Sequence, residues 1–310
     1  MGPRVIAFFK MTGSGNDFVF VDARAGGGHG LDQPDRIRAV CARGTGVGAD
    51  GLVLLERASD ADVAIRYFNS DGSAAALCGN ATLCTVRLAA RLGLGHGPDG
   101  RLRIATDAGI VDARLVDGVP EFDVGPVARV VLDAPIARAP GESRIGFAAP
   151  GIPHLVVRVA ATDAVDVVAR GRALRMDPSA APAGANVNFV APHRDRPGDW
   201  MVRTYERGVE GETLACGTGA VATAIVLAAW RADAGATRDE TVTPEGTGQG
   251  KGAGEGEGEG EGAGPPMRPC RLWTRSGEPV DVSVVRGVGG WRAALRGEGR
   301  LVFRGDLEEG

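Results

Sequence analysis

Two cysteines occupy closely similar settings. Cys78 lies in LCGN and Cys216 in ACGTG, each followed by glycine and each opening an apolar segment of helical length. At a helix start, the positive end of the dipole and the free backbone N–H groups lower a thiol pKa from its usual value of about 8.5. The Gly79–Asn80 and Gly217–Thr218 turns also let backbone N–H groups come close to an anion such as a carboxylate. Two thiols facing opposite sides of one carbon can remove a proton from one face and deliver one to the other. That chemistry inverts a stereocentre. Taken singly, either cysteine reads more readily as a small buried hydrophobe; the pair carries the signal.

Polar residues stand at matching distances. Asn69, in NSDG, precedes Cys78 by nine, and Glu206 and Arg207, in YERG, precede Cys216 by ten and nine. Asn16, in GSGNDF, and His154, in GIPH, are separated by 138 residues, as the two cysteines are. Arginine and asparagine can hold carboxylate and ammonium groups, and His154 and Glu206 can accept or relay a thiol proton. Each also has a plain reading: a surface ion pair for Glu206 and Arg207, a turn residue for Asn69, a satisfied core histidine for His154.

The elements that must position these groups form a consistent pattern. Gly79–Leu92 and Thr218–Ala232 are apolar almost all round, which predicts helices enclosed by other structure. Ile37–Cys41 and Val165–Leu174 are expected to be shorter surface helices. Short apolar runs bounded by Gly, Pro, Asp or Asn predict strands at Val5–Phe9, Phe18–Val21, Leu52–Leu55, Val63–Phe68, Gly109–Leu115, Val127–Leu132, Leu155–Val159, Val187–Val190, Val202–Tyr205, Val280–Val285 and Trp291–Leu295. At the same offset of 138, Tyr67 falls on Tyr205, Gly13 on Gly151, and the turn near Asp50 on the Asn186–Asn188 turn. Several matches at one offset indicate an internal duplication, with two strand-rich units each wrapped around one helix. A site on the resulting pseudo-twofold axis would receive one thiol from each unit.

Composition narrows the class. The chain has 310 residues, a formal charge of −4 and 49 glycines. Residues 245–266 read EGTGQGKGAGEGEGEGEGAGPP; five glutamates and one lysine there account for the whole net charge. Such a segment cannot bury apolar surface and is expected to stay disordered as a loop insertion. With the rest of the chain neutral, nucleic acid is not an expected partner. Lys10 and Lys251 are the only lysines. Neither is a credible Schiff-base residue, so pyridoxal phosphate is not expected, and no other cofactor or metal is called for. Five cysteines without a zinc-type spacing suit reduced thiols. The N-terminal apolar run is too short for a signal segment, and no run reaches the length of a membrane span. The expectation is a cytoplasmic protein.

Together, GSGNDFVFVD, RGTGVGADG, FNSDGS with the following CGN, GIPH, NVNF, YERGVEGETLACGTGA and the closing GEGRLVFRGDL resemble the diaminopimelate epimerase family over nearly the whole chain apart from residues 245–266. The resemblance implies an α+β fold of two pseudo-symmetric lobes, each a mixed β-structure wrapped around a central buried helix. The expected lobes are residues 1–118 with Cys78 and residues 119–297 with Cys216, the last strand, near 298–310, returning to the first. It implies a cofactor-independent isomerase that interconverts LL- and meso-diaminopimelate, in lysine and peptidoglycan precursor biosynthesis. Cys78 and Cys216 match the family's acid–base pair, and His154 and Glu206 the groups that tune them. Asn16, Asn69, Asn186 and Arg207 match substrate contacts, and Gly79, Asn80, Gly217 and Thr218 the backbone cradle of the reacting carboxylate. Ile152 stands where the family often has Asn, and Ala81 and Leu83 replace a common Gly and Arg. A racemase of another amino acid, of proline or histidine type, is the alternative on the same fold. The expected partner is a small amino acid, and a homodimer is the assembly left open.

Overall fold

The computed structural model describes residues 4–26, 30–95, 100–179, 184–239 and 269–309. The 245–266 insertion lies outside the described residues. The first half of the chain forms β1 (Arg4–Gly13), β2 (Asn16–Asp22), α1 (Pro34–Cys41), β3 (Gly51–Glu56), β4 (Val63–Asn69), β5 (Ala74–Ala75), α2 (Gly79–Arg91), β6 (Arg101–Thr106), β7 (Gly109–Val116) and β8 (Val119–Val127). The second forms β9 (Val130–Val131), β10 (Glu142–Ala148), β11 (His154–Val159), α3 (Val167–Arg175), β12 (Asn186–Pro192), β13 (Trp200–Glu206), β14 (Gly211–Thr213), α4 (Gly217–Asp239), β15 (Cys270–Trp273), β16 (Pro279–Gly287), β17 (Gly290–Arg296) and β18 (Arg300–Glu309).

The strand pairings repeat. One series runs β18, β1, β2, β3, β4, β6, β7, β8 and the other β9, β10, β11, β12, β13, β15, β16, β17. Both have the same alternation of directions, with parallel pairs only at β2–β3, β4–β6, β11–β12 and β13–β15. The two series join where β8 and β17 pair antiparallel, Phe122 opposite Leu295 and Val124 opposite Ala293. The result is two lobes of mixed sheet joined through one continuous ladder. β18 lies beside β1 as β9 lies beside β10.

Each series curls around its own helix. Residues Gly79–Val86 of α2 and Gly219–Trp230 of α4 are buried without interruption, as expected of helices that sheet surrounds on every side. Side chains of alternating residues on the strands line these helices, while the opposite residues pack outward. Phe8, Val19, Leu52, Leu54 and Phe68 meet Ile37 and Cys41 of α1. Phe147, Val157, Val187, Phe189 and Tyr205 meet Val167 and Leu174 of α3. The Asp166 carboxylate caps α3 by accepting from Ala169 N at 3.0 Å. Among the described residues no helix is long and apolar enough to cross a membrane.

Two details depart from the sequence reading. The run Val127–Leu132 is not one strand. Val127 still pairs with Trp291, whereas Val130 and Val131 pair with Ala148 and Phe147; the chain changes neighbours between them. The match of Tyr67 to Tyr205 is off by one residue. Tyr67 pairs with Ala75, three residues before Cys78, and packs toward α2. Thr204 pairs with Thr213, three residues before Cys216, and points inward, while Tyr205 faces the outer core. One extra residue in the turn after β13 shifts the count, so Thr204 is the counterpart of Tyr67.

On the side away from the helix N-termini, a cavity of about 710 Å³ is lined by Arg87, Arg91, Pro120, Gly297, Gly299 and Arg300, among others. Arg87 donates from Nε to the Gly299 carbonyl at 2.9 Å and from Nη2 to the Gly118 carbonyl. It thereby ties the last turns of α2 to the β7–β8 turn and to the segment leading into β18.

Candidate active site

The N-termini of α2 and α4 face each other. A Cβ on Gly79 would lie 3.4 Å from Gly217 Cα, and one on Gly217 would lie 3.3 Å from Gly79 Cα. Two glycines keep this approach unhindered, and it brings two positive helix ends to one place. Cys78 is the N-cap of α2, in extended conformation. Cys216 holds the same place before α4, its carbonyl accepting from Ala220 N at 2.9 Å. Both residues are half-buried.

Competing effects act on the two thiols. Burial pushes Cys78 up to about 11, Glu206 adds to the rise, and the Ala81 and Asn80 N–H groups and the Tyr67 phenol pull the other way. Burial pushes Cys216 up to about 12; Glu206 and Cys78 add to it, while the Thr218 hydroxyl and the Gly219 N–H oppose it. Both thiols therefore stay protonated near neutrality in this arrangement. Burial also raises the Glu206 carboxyl above the usual carboxylate range. Glu206 acts on both thiols, so it lies toward the interface between the lobes.

Behind each cysteine lies a chain of three side chains at the same offset. In the first lobe, Asp50 Oδ2 accepts from Asn16 Nδ2 at 2.9 Å, and Asn16 Oδ1 accepts from Asn80 Nδ2 at 2.6 Å. In the second, Asn188 Nδ2 faces His154 Nδ1 at 3.2 Å, and His154 Nε2 faces Thr218 Oγ1 at 3.0 Å. Asp50 and Asn188, Asn16 and His154, and Asn80 and Thr218 are each 138 apart. The first chain is anchored by charge. Arg43 bridges Asp17 and Asp50 at 2.7 Å each, and Lys10 Nζ, buried, holds Asp17 Oδ2 at 2.7 Å and donates to the Gly48 carbonyl. Burial would raise the Asp17 carboxyl, but hydrogen bonds from Arg43 and Lys10 outweigh it and hold it low.

The remaining candidates sit around this centre. Asn186 is buried; its Nδ2 lies 3.9 Å from Cys216 Sγ and its Oδ1 accepts from Arg207 N at 2.8 Å. Asn69 accepts from the Tyr67 hydroxyl at 3.0 Å and donates to Ser73 Oγ at 3.0 Å. His154 is fully buried; burial first, and the charge of Arg207 second, push its pKa down to about 3. Asn80 Oδ1 is buried with no hydrogen-bond partner among the described residues. Such an acceptor is costly unless a ligand satisfies it.

Comparison with known proteins identifies the lineage. A sequence profile described as diaminopimelate epimerase matches residues 8–130 and 147–249. A diaminopimelate epimerase of Gemmatimonas aurantiaca is 46% identical over 97% of this chain and 99% of its own length. This chain belongs to the diaminopimelate epimerase family. An Aquifex aeolicus member of the family is 42% identical over 71% of this chain and 80% of its own length. The fold extends to more distant proteins. A PhzF-family phenazine biosynthesis protein of Bacillus anthracis superposes with a TM-score of 0.67 at 16% identity, covering 98% of this chain and 99% of that one. A hydroxyproline epimerase of Agrobacterium vitis does so with 0.61 at 20% identity, covering 98% and 93%. Diaminopimelate epimerases are isomerases, and this chain is one of that class.

Residues outside the sequence-based candidates also enter the site: Tyr67, Asp50, Asn188 and Thr204. Asn188 had a readable signal, being a polar residue inside the otherwise apolar strand run of β12. A buried polar group in such a run must have partners.

Proposed function

We propose that this protein inverts the α-carbon of diaminopimelate by proton transfer between Cys78 and Cys216, without a cofactor. The observation that carries the reading is the convergence of two helix N-termini at Gly79 and Gly217, each with a thiol at its cap. The substrate α-carboxylate occupies the N–H groups at these ends, with the α-carbon between the sulfurs. One sulfur, as thiolate, takes the α-proton. The electron pair left on carbon spreads into the carboxylate, whose growing charge the helix ends stabilise. The other thiol gives its proton to the opposite face and becomes the thiolate, ready for the reverse reaction.

Substrate binding changes the charge around the thiols. Glu206 raises both thiols while its charge is uncompensated. A substrate ammonium paired with Glu206 removes that repulsion and favours the thiolate. The open acceptor Asn80 Oδ1 suits an N–H donor of the substrate. Asn69, Asn186 and Arg207 hold the far end of the molecule, where a second carboxylate and ammonium distinguish diaminopimelate from monocarboxylate amino acids. Ile152, directly before the Pro153–His154 pair, favours a second reading in which the substrate is a smaller amino acid such as proline. Five unpaired thiols suit a reducing compartment, and we infer the cytoplasm.

The test is α-proton exchange in deuterated water, followed by NMR, with LL-diaminopimelate, proline and histidine offered in turn. Exchange with LL-diaminopimelate alone supports the reading; exchange with proline alone moves the substrate to the second one. Inversion at near wild-type rate in Cys78→Ala or Cys216→Ala would sink the two-thiol scheme.

A further inference from the structure

Every polar atom of the Asn188 side chain is engaged. Nδ2 donates to the Leu155 carbonyl at 2.9 Å. A carbonyl can only accept, so this bond fixes which end of the amide is nitrogen. Oδ1 accepts from Thr204 Oγ1 at 2.9 Å. Asn188 and Thr204 are both buried, which leaves no water to satisfy a turned amide. The same Nδ2 faces His154 Nδ1 at 3.2 Å. A ring nitrogen facing a fixed N–H donor is the unprotonated one.

The rest of the chain follows from that. His154 is buried and neutral, so its single proton sits on Nε2. Nε2 is 3.0 Å from Thr218 Oγ1, which must accept from it. The Thr218 hydroxyl then has its own proton to give, and Cys216 Sγ lies 3.5 Å away. Glycine at 219 is part of the arrangement, because a Cβ there would stand 2.4 Å from Asn188 Oδ1.

We propose that Asn188 is a positioning residue that fixes the imidazole tautomer of His154 and thereby aims the Thr218 hydroxyl proton at the Cys216 sulfur. The first lobe delivers the opposite polarity. Asp50 orients Asn16, Asn16 takes the Asn80 Nδ2 proton, and the chain ends on the bare acceptor Asn80 Oδ1. The pseudo-twofold axis therefore relates a donor beside Cys216 to an acceptor two residues after Cys78. Cys78 has instead the Tyr67 phenol as its neighbour, which donates its proton to Asn69 Oδ1 at 3.0 Å. The two thiols are chemically unequal even though their backbones match. The catalytic consequence rests on the proposed role of Cys216 as an acid–base group.

Long-range 1H–15N NMR of the full chain, with the His154 signals assigned by their loss in His154→Gln, reads the tautomer directly. The expected result is a neutral ring protonated on Nε2; protonation on Nδ1 overturns the proposal whatever the enzyme does. Asn188→Asp places an acceptor opposite Nδ1 and should turn the ring to the Nδ1–H form. Thr218 then donates to His154 and leaves Cys216. Loss of one hydrogen bond to a charged group predicts about a tenfold fall in Cys216 alkylation by iodoacetamide at fixed pH, with kcat falling similarly and KM little changed. In a Thr218→Val background Asn188→Asp should add nothing. A second drop of the same size there, or a turned ring with unchanged Cys216 reactivity, overturns the proposal. If Asn188→Asp does not fold, the wild-type tautomer and the alkylation rate of Thr218→Val decide it. Cys216→Ala separates the two readings: inversion that survives there removes the proposed function and leaves the tautomer result standing.

Discussion

Gly79 and Gly217 stand in direct contact: a Cβ added to the first or the second would lie 3.4 or 3.3 Å from the opposite Cα, at the lower edge of ordinary packing distance. The contact sets the spacing of the two helix ends and of the cysteines that cap them. Gly217→Ala would also press on Leu295 Cδ2 at 3.2 Å, a movable methyl. The variant is expected to fold. Its helix ends separate by a fraction of an ångström; since a misplacement of about 1 Å costs about a hundredfold in rate, a several-fold fall in kcat is expected. Steady-state epimerisation beside a thermal melt checks this; wild-type kcat in the variant would show that the spacing does not matter.

Alkali should destabilise the protein through its thiols. Burial pushes Cys41, Cys78 and Cys270 up to about 11 and Cys216 to about 12, and holds Cys84 well above its usual value. Unfolded thiols titrate near about 8.5. Between these values the folded chain holds more protons than the unfolded one, so stability is complete below the lower value and is lost as pH climbs toward the upper. The limiting slope is about 1.4 kcal/mol per pH unit for each thiol. Urea unfolding at pH 8, 9 and 10 in a reducing buffer measures it. Cys41→Ala and Cys270→Ala, which leave the catalytic thiol pair in place, should each flatten the slope by one proton. A slope unaltered in both would show that other groups carry the effect.

Lys10 is the only lysine among the described residues, and its work is structural. Its buried ammonium, with Arg43, holds Asp17 and through it the Asp50 carboxylate that orients Asn16. Lys10→Met leaves the partly buried Asp17 short of one cation. Breaking a buried pair costs about 3–5 kcal/mol, and because Asp17 keeps Arg43 and is partly open to water, the lower end is expected. Asn16 should lose its fixed orientation, so KM rises more than kcat falls. Chemical denaturation with substrate kinetics tests both parts. Lys10→Met with unchanged stability would mean that Arg43 alone satisfies Asp17.

Arg87 should matter for cohesion and little for chemistry. Its guanidinium holds the carbonyls of Gly118 and Gly299 beside the cavity between α2 and the β8 and β18 starts. Hydrogen bonds from a charged donor are worth about 1.5–3 kcal/mol each, and solvent reaching the cavity reduces that here. Arg87→Met is expected to lower the melting temperature by several degrees while KM stays near wild type. A large loss of kcat without a change in melting temperature would assign Arg87 a different role.

Much of this was legible in the sequence, for identifiable reasons. α2 and α4 announced themselves because burial on all sides demands apolar residues on all sides. The predicted strands were those with continuous apolar runs. β6, most of β8, β10, β15 and the short β5 and β14 have no counterpart among the predicted strands; in β6 the inward residues are few, Leu102 and Ile104 alone standing against exposed arginines. The duplication was visible in the chemistry-bearing residues, whose separation of 138 holds from Asn16 to Thr218. It failed at Tyr67 and Tyr205, because a single residue added to a turn reverses which way every side chain of the strand before it points. The site residues found from sequence are those expected to touch substrate or to tune the two cysteines. Asn188 and Thr204 act through other side chains: Asn188 stands out in sequence only as a polar residue in an apolar run, and the partners of both emerge from the three-dimensional hydrogen-bond path.

The placement of β18 beside β1 has a consequence in time as well as space. β1 is made of residues 4–13 and its outer partner of residues 300–309, so the pairing spans almost the whole sequence. During synthesis, β2, β3 and β4 can assemble around α2 early, but one flank of β1 waits until the last strand emerges. The second lobe has no such delay, since β9 directly precedes β10. The cysteine made first thus belongs to the half of the protein completed last, and the open edge of β1 is where a nascent chain would be most exposed to mispairing.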